Sequence, residues 1–246
     1  MQIITIAQLK GGSGKSTTAA ALAQAAASAG KKVLAIDLDP QANLTFFIGA
    51  DQHRPGSLEL LEGEPVREVI QATEQGIDAI AARQDLATVK TTSASARRLY
   101  RAIKPVKEEY DFIIIDTPAT LSEMHYNAMQ ASTGLLIPLE ADLNNLEGFF
   151  QTVDIARQLQ ESNPELHIIG AILTRFDGRT KLNRYLQDAI RQRAAEKQVP
   201  YLMEIRQGTA LKEAQSFQVS LYQYARRSLP AADYEALYQL ITKGEQ

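Results

Sequence analysis

The stretch AQLKGGSGKST, residues 7–17, could bind a phosphate chain. Gly14-Lys15-Ser16 forms the end of the phosphate-loop pattern G-x-x-x-x-G-K-[ST]. Gly11, Gly12 and Gly14 permit positive φ, so the N–H groups of residues 11–16, Ser13 included, can point at phosphate oxygens. Lys15 is spaced to reach the β- and γ-phosphates, Ser16 to set its hydroxyl on Mg²⁺, and Thr17 to reach the α-phosphate. Leu9 stands where the pattern asks for its first glycine. The cradle itself is formed by residues 11–16, so this departure costs little. Lys10 is more informative. One lysine already serves the phosphates, so a second must face elsewhere or reach another site. The plain alternative is a glycine-rich turn that binds nothing. Three glycines followed by Lys-Ser argue against it.

Phosphoryl transfer needs a metal shell and an oriented water. Their ligands belong at the carboxyl ends of sheet strands beside the loop. VLAIDLDPQ (33–41) ends in Asp37 and Asp39, two apart and so on one side of an extended chain. FIIIDTP (112–118) ends four apolar residues in Asp116. A lone strand-terminal Asp is often only a turn or cap residue, but three beside a phosphate loop make a site.

These residues need strands that stop beside one helix N-terminus. QIITIA (2–7), KVLAID (32–37), DFIIID (111–116), GLLIPL (134–139), HIIGAIL (167–173) and VPYLM (199–203) read as strands, with GIDAIAA (76–82) a further candidate. Ala-rich residues 15–29 read as a helix ending at Gly30. Further helices are expected over 65–73, 94–109, 121–131, 145–161, 181–197 and 231–242. Apolar runs without alternation indicate strands covered on both faces. The expected fold is a single α/β domain over 1–246, a doubly wound, mostly parallel sheet with helices on both faces.

KGGSGKST resembles the deviant Walker A motif KGGxGK[ST] of the ParA/MinD family of dimeric ATPases. DLDPQ matches the family's D-x-D-P-Q, and YDFIIIDTP (110–118) its Walker B strand, with Ala119 where a second proline is usual. The resemblance implies ATP and Mg²⁺ as cofactors. It makes Lys10 the signature lysine that crosses a homodimer to the partner's nucleotide, acting like an arginine finger. It makes Asp39 the residue that positions water. Asp116 becomes the Mg²⁺ holder, largely through water, and Asp37 a support of the metal shell. ILTRFDGRT (172–180) fits the segment near the base and places Arg175 there. TRFD also faintly resembles the guanine signature [NT]KxD, but the family implies adenine. LEG (146–148) and IRQGTALKEAQSF (205–217) fit as well, while residues 50–105 match loosely.

Net charge is −3, so global charge demands neither nucleic acid nor membrane. The charge is uneven, however. Residues 175–227 carry eleven Lys/Arg against five Asp/Glu, a net of +6, which leaves −9 for the rest. Such a face suits weak, sequence-independent contact with phosphates. The resemblance implies non-specific binding of double-stranded DNA once ATP has dimerised the protein, and hydrolysis stimulated by a ParB-like centromere-binding protein. Arg191, Arg193 and Lys197 on one expected helix, and Arg226 and Arg227 in YARRS, are the candidates. Arg97, Arg98, Arg101, Lys104 and Lys107 form a lesser cluster. With the loop within ten residues of the start, no helix-turn-helix extension or operator binding is expected.

Cysteine is absent, which excludes disulfides, thiolate nucleophiles and the iron–sulfur nitrogenase branch. His53, His125 and His167 lie too far apart in sequence to suggest a metal site. No apolar run approaches bilayer length, so a cytoplasmic, nucleoid-associated location is expected. A MinD-like membrane ATPase is the first alternative. It wants a basic amphipathic tail, whereas residues 230–246 carry Asp233, Glu235 and Glu245 against Lys243, and the Leu237/Leu240/Ile241 stripe reads as core. A ParA-like positioner of protein cargo is the second. A tyrosine kinase is disfavoured, because Tyr222, Tyr224, Tyr234 and Tyr238 do not cluster.

Overall fold

A computed structural model describes residues 1–89, 96–142 and 145–243. Five buried residues, Gln2–Ile6, form β1, and the phosphate-loop segment leads from it into the helix α1, Lys15–Ser28. Along the chain follow β2 Val33–Asp37, the helices α2 Asn43–Phe47, α3 Ser57–Glu62 and α4 Val66–Val69, then β3 Gln71–Ala72 and β4 Asp78–Ile80. Next come α5 Arg98–Ile103, β5 Phe112–Asp116, α6 Glu123–Ala131, β6 Gly134–Glu140, α7 Asn145–Gln160 and β7 His167–Phe176. The chain closes with α8 Lys181–Glu196, β8 Tyr201–Arg206, α9 Thr209–Ser216, α10 Leu221–Ala225 and α11 Leu229–Lys243.

The sheet runs β3-β4-β2-β5-β1-β6-β7-β8, parallel except for β3 at the edge. β1, β2 and β5 are buried along their whole length, as continuous apolar runs require. Their register sets the site. Asp116 pairs with Ile6 on one side and Asp37 on the other, so two carboxylates end level with the strand that feeds the phosphate loop. α1 and α11 cover one face around Leu22, Tyr234 and Leu237. α3, α5 and α6 cover the other around Leu60, Leu99 and Ala128. The Ala-rich sequence of α1 lets it sit close against the sheet, with Ala19, Ala21 and Ala23 fully buried.

Most expected elements stand within a residue or two of their place. The helix expected over 65–73 is only α4, because Ile70 turns extended (ψ 137) and Gln71 is tied to the Asp51 backbone through both amide atoms. Gln71 and Ala72 then pair with β4 instead. The helix expected over 94–109 breaks at Pro105, which cannot continue the hydrogen-bond ladder. α5 precedes it and a 3₁₀ turn, Lys107–Glu109, follows; residues 94–95 lie outside the described residues. The strand expected over 76–82 contracts to β4, that over 167–173 extends to Phe176, and that over 199–203 moves to β8. In α11, Leu237 and Ile241 are buried against α1 and the sheet while Leu240 is exposed, so most of the apolar stripe packs inward. Among the described residues no helix is long and apolar enough to cross a membrane.

Candidate phosphate-binding site

The loop between β1 and α1 has Gly12 at φ 79 and Gly14 at φ 88, a conformation glycine adopts without strain. Gly11, expected to share it, is not in the left-handed region. A Cβ on Gly14 would lie 3.2 Å from Thr174 Oγ1, so close packing as well as φ requires glycine there. Thr174 Oγ1 lies 2.9 Å from the Ser13 carbonyl and 3.1 Å from that of Leu139, and so ties the loop to β6. On the loop's entry side, Leu9 N–H donates to Thr152 Oγ1 at 3.2 Å. A Cβ on Gly148 would stand 2.5 Å from the Leu9 carbonyl. Gly148 therefore lets α7 pack directly against the backbone of Leu9.

Lys15 is buried, and its ammonium donates to the Lys10 carbonyl at 3.0 Å. Burial lowers its pKa, while Asp116 and Asp39 pull the other way. The Lys10 side chain is exposed and makes no ion pair among the described residues. Ser16 and Thr17 open α1, whose N-terminus adds partial positive charge.

The three carboxylates differ. Asp37 accepts from Asp39 N (3.0 Å), Thr45 N (2.8 Å) and Thr45 Oγ1 (2.8 Å). Expected to support a metal shell, it presents Oδ1 to the Asp39 backbone and Oδ2 to Thr45 in α2, and burial pushes its pKa up to about 6. Asp39 accepts from Gln41 N at 3.0 Å and is 8% exposed at the cleft wall. Asp116 is fully buried, and neither oxygen has a hydrogen bond of normal geometry, although the Ser16 hydroxyl lies near enough to favour its charged form. Burial first, and Asp37 second, raise its pKa well above 3.8; the Ser16 hydroxyl and Lys15 oppose them. The Ser13 hydroxyl is likewise buried and unpartnered.

Two orphaned carboxylate oxygens beside a phosphate cradle fit a divalent cation. Among the described residues no three His, Cys, Asp or Glu could hold a metal ion by themselves. Mg²⁺ held through one carboxylate, a hydroxyl, water and phosphates matches that donor set.

An unpartnered buried carboxylate destabilises the fold that holds it. In the folded state its proton is held above the ordinary pKa of 3.8, so stability falls as pH rises past that value. Asp116→Asn will therefore raise the melting temperature of the nucleotide-free protein at pH 8, by roughly 2–4 °C per kcal/mol relieved. The gain will shrink as pH falls and vanish below 3.8, where both states bind the proton. A pH-independent change in a calorimetric melting series would contradict this.

A cleft of about 330 Å³ spans Gly12, Lys15, Thr17, Asp39, Phe47 and Arg175. It continues into a recess of about 60 Å³ walled by Arg206, Gln207, Gly208 and Tyr234. The structure thus brings Gly11, Gly12, Gly14, Lys15, Ser16, Thr17, Asp39 and Arg175 together on one opening, with Asp37 and Asp116 beneath it. A larger cleft, about 1210 Å³, lies between α3–α4 and α5, away from all these residues. Thr152 and Thr45 carried no local signal, because each acts across the fold; Gly148 and Thr174 stand in LEG and ILTRFDGRT, but nothing in those stretches announced that they buttress the loop.

The candidate DNA contacts divide. Arg191 pairs with Glu204 (2.7 Å), Arg193 with Glu196 (2.8 Å) and Lys197 with Asp154 (2.9 Å). The net charge of that face is therefore less available than the count suggests. Arg226 and Arg227 are exposed between α10 and α11, with no ion pair among the described residues. Of the lesser cluster, Arg97 is bonded to Gln130 and the Ser162 carbonyl, and Lys107 to Glu108.

The family model described as "AAA domain" matches residues 1–168. The chain is 35% identical to the chromosome-partitioning ATPase Soj of Thermus thermophilus, over 95% of this chain and 92% of that one. It is 34% identical to the chromosome partitioning protein ParA of Myxococcus xanthus, over 98% and 88%. In three dimensions it resembles a Mycobacterium smegmatis protein described as cobyrinic acid a,c-diamide synthase with bound ATP analogue and magnesium (TM-score 0.88, 26% identity, 100% and 96% covered). It also resembles an Asp-to-Ala variant of Cyanothece McdA in complex with ATP (TM-score 0.84, 27% identity, 100% and 96% covered).

Proposed function

The chain belongs to the ParA/Soj family of partitioning ATPases and hydrolyses ATP with Mg²⁺, and on that footing we propose that it segregates DNA as an ATP-switched homodimer. Two ATP-loaded copies close face to face over their phosphate clefts. The dimer holds double-stranded DNA without sequence preference, at the nucleoid in the cytoplasm. A ParB-like centromere-binding protein stimulates hydrolysis, and the monomers release. Residues 1–246 act as one ATPase domain, and plasmid or chromosomal DNA is the cargo.

The observation that carries this reading is Lys10. Its carbonyl is engaged by Lys15 within the chain, while its exposed side chain has no ion pair among the described residues. A cation fixed at the rim of a phosphate cradle and unused by its own chain suits a second copy's nucleotide. Within each protomer, Lys15 and the loop amides bind the phosphates. Ser16 and Asp116 hold the metal, which supplies charge neutralisation. Asp37 orients the segment that carries Asp39, and Asp39 takes the proton side of an attacking water. The Gln207–Gly208 recess suits the base, with Arg175 at its mouth.

The test is DNA retardation with ATP, ADP and no nucleotide. Retardation of any duplex with ATP alone is expected; equal retardation in all three lanes would contradict the switch. Arg226→Glu with Arg227→Glu should abolish retention at moderate salt and flatten the log–log salt dependence by about one unit for each phosphate no longer neutralised. Arg191→Glu with Arg193→Glu should weaken it less, because both guanidinium groups already have carboxylate partners. The reverse ranking would move the DNA face to α8.

A further inference from the structure

Glu140 ends β6 beside the phosphate loop, where a polyanion site would be expected to exclude a carboxylate. One of its oxygens, Oε2, lies 4.0 Å from where a Cβ on Gly12 would stand. The other, Oε1, is 3.5 Å from Arg175 Nη1. Their side chains are 39% and 47% exposed, so the pair is not sealed in the core. The contact is a single long ion pair rather than a bidentate fork, which makes it weak and exchangeable.

Arg175 is unusual in its backbone too. It lies within β7 at φ 52, in the left-handed region that residues other than glycine seldom occupy. The β7–β8 register shifts between Leu173 and Phe176, which spans this position. Both neighbours fix it. Thr174 is buried against Gly14 and bonded to the loop, and the Phe176 carbonyl accepts from Gln207 N. Arg175 lines the cleft together with Gly12 and Lys15. Strain of this kind persists only where surrounding structure over-determines it, and it gathers at ligand clamps. Asp116 and Asp39 already face Lys15, and Glu140 faces Arg175, so this further carboxylate at the rim works against phosphate binding.

We infer that Glu140 and Arg175 form a charge latch at the rim of the phosphate cradle that sets nucleotide affinity. In the empty chain Glu140 holds Arg175 and opposes incoming phosphate. With a nucleoside triphosphate in the cleft, Arg175 exchanges the single carboxylate for the more highly charged phosphate chain. Arg175 then reads phosphate charge rather than the base. The inference rests on the ATP site described above and adds to it a residue, Glu140, that restrains binding.

The experiment is titration of ATP and ADP with Mg²⁺ into the wild-type chain, E140Q, R175A and the double variant, at low and at moderate salt. E140Q is expected to tighten ATP about tenfold at low salt and ADP by less, the size of one partly screened charge interaction. Moderate salt should narrow the difference. R175A should weaken ATP binding. In the R175A background the E140Q gain should shrink to about threefold or less, because only repulsion by Glu140 is left to remove. An E140Q affinity equal to wild type would overturn the latch. So would an equal gain in both backgrounds, since Glu140 would then act without Arg175. A wild-type chain that failed to bind ATP would instead sink the site itself, an outcome distinct from either.

Discussion

Lys15→Ala will lose ATP binding in a calorimetric titration with Mg²⁺, with an affinity loss of roughly 30- to 5000-fold. That range follows from the cost of about 2–5 kcal/mol for truncating one member of a buried, hydrogen-bonded charge pair. The site makes the upper part of the range the expectation. Lys15 is 6% exposed and is the buried cation facing Asp39 and Asp116. Removing it deletes donors to the phosphates and also leaves those carboxylates unopposed toward a polyanion. The helix N-terminus and loop amides remain, but their partial charges do not replace a full ammonium. Lys10 cannot substitute, because Lys15 meets its backbone carbonyl rather than its side chain, and the Lys10 ammonium lies outside the buried site. Undiminished affinity would mean that phosphate is held elsewhere. The large cleft between α3–α4 and α5, with Arg67, Arg98 and Arg101 on its walls, would then be the place to look.

The parts of the site legible in the sequence are those written in consecutive residues. Gly11 to Thr17 between a strand and a helix, and apolar runs closing in Asp37 and Asp116, need only local rules. The parallel register that sets Asp37 level with Asp116 follows once both runs are read as central strands. What supports the loop was not legible. Thr152 reaches Leu9, and Thr174 reaches Ser13, from well over a hundred residues away. A threonine has no sequence signature for such a role. The basic face misled for the same reason. Arg191 and Lys197 are counted as free charge along the chain, yet Glu204 and Asp154 reach them in the fold. Pro105 inside the helix expected over 94–109 is a local signal of the break, since proline cannot continue the hydrogen-bond ladder. The short edge strand β3 carried no such signal. Its pairing depends on Gln71 bonding to Asp51, a contact no periodicity announces.

Asp39→Ala will separate binding from turnover. The backbone N–H of Asp39 donates to Asp37 Oδ1 at 3.0 Å, a bond that alanine retains. The loop, Lys15 and Asp116 do not depend on the Asp39 side chain for position. ATP affinity should therefore stay within a few-fold of wild type, slightly improved by loss of a carboxylate facing the phosphates. Turnover should fall by about 10²–10⁴, the usual contribution of a positioned acid–base group. In the intact chain, Gln41 N–H holds Asp39 Oδ1 at 3.0 Å, and no hydrogen bond reaches its other oxygen among the described residues. One oxygen is thus fixed and the other is left to orient a water at the cleft wall. Phosphate release by the variant should be near background, while its ATP-dependent DNA retention outlasts that of wild type, because the step that separates the protomers is blocked. Normal phosphate release would remove Asp39 from the chemistry. Lost turnover without prolonged DNA retention would leave the hydrolytic role standing and break the link from hydrolysis to release.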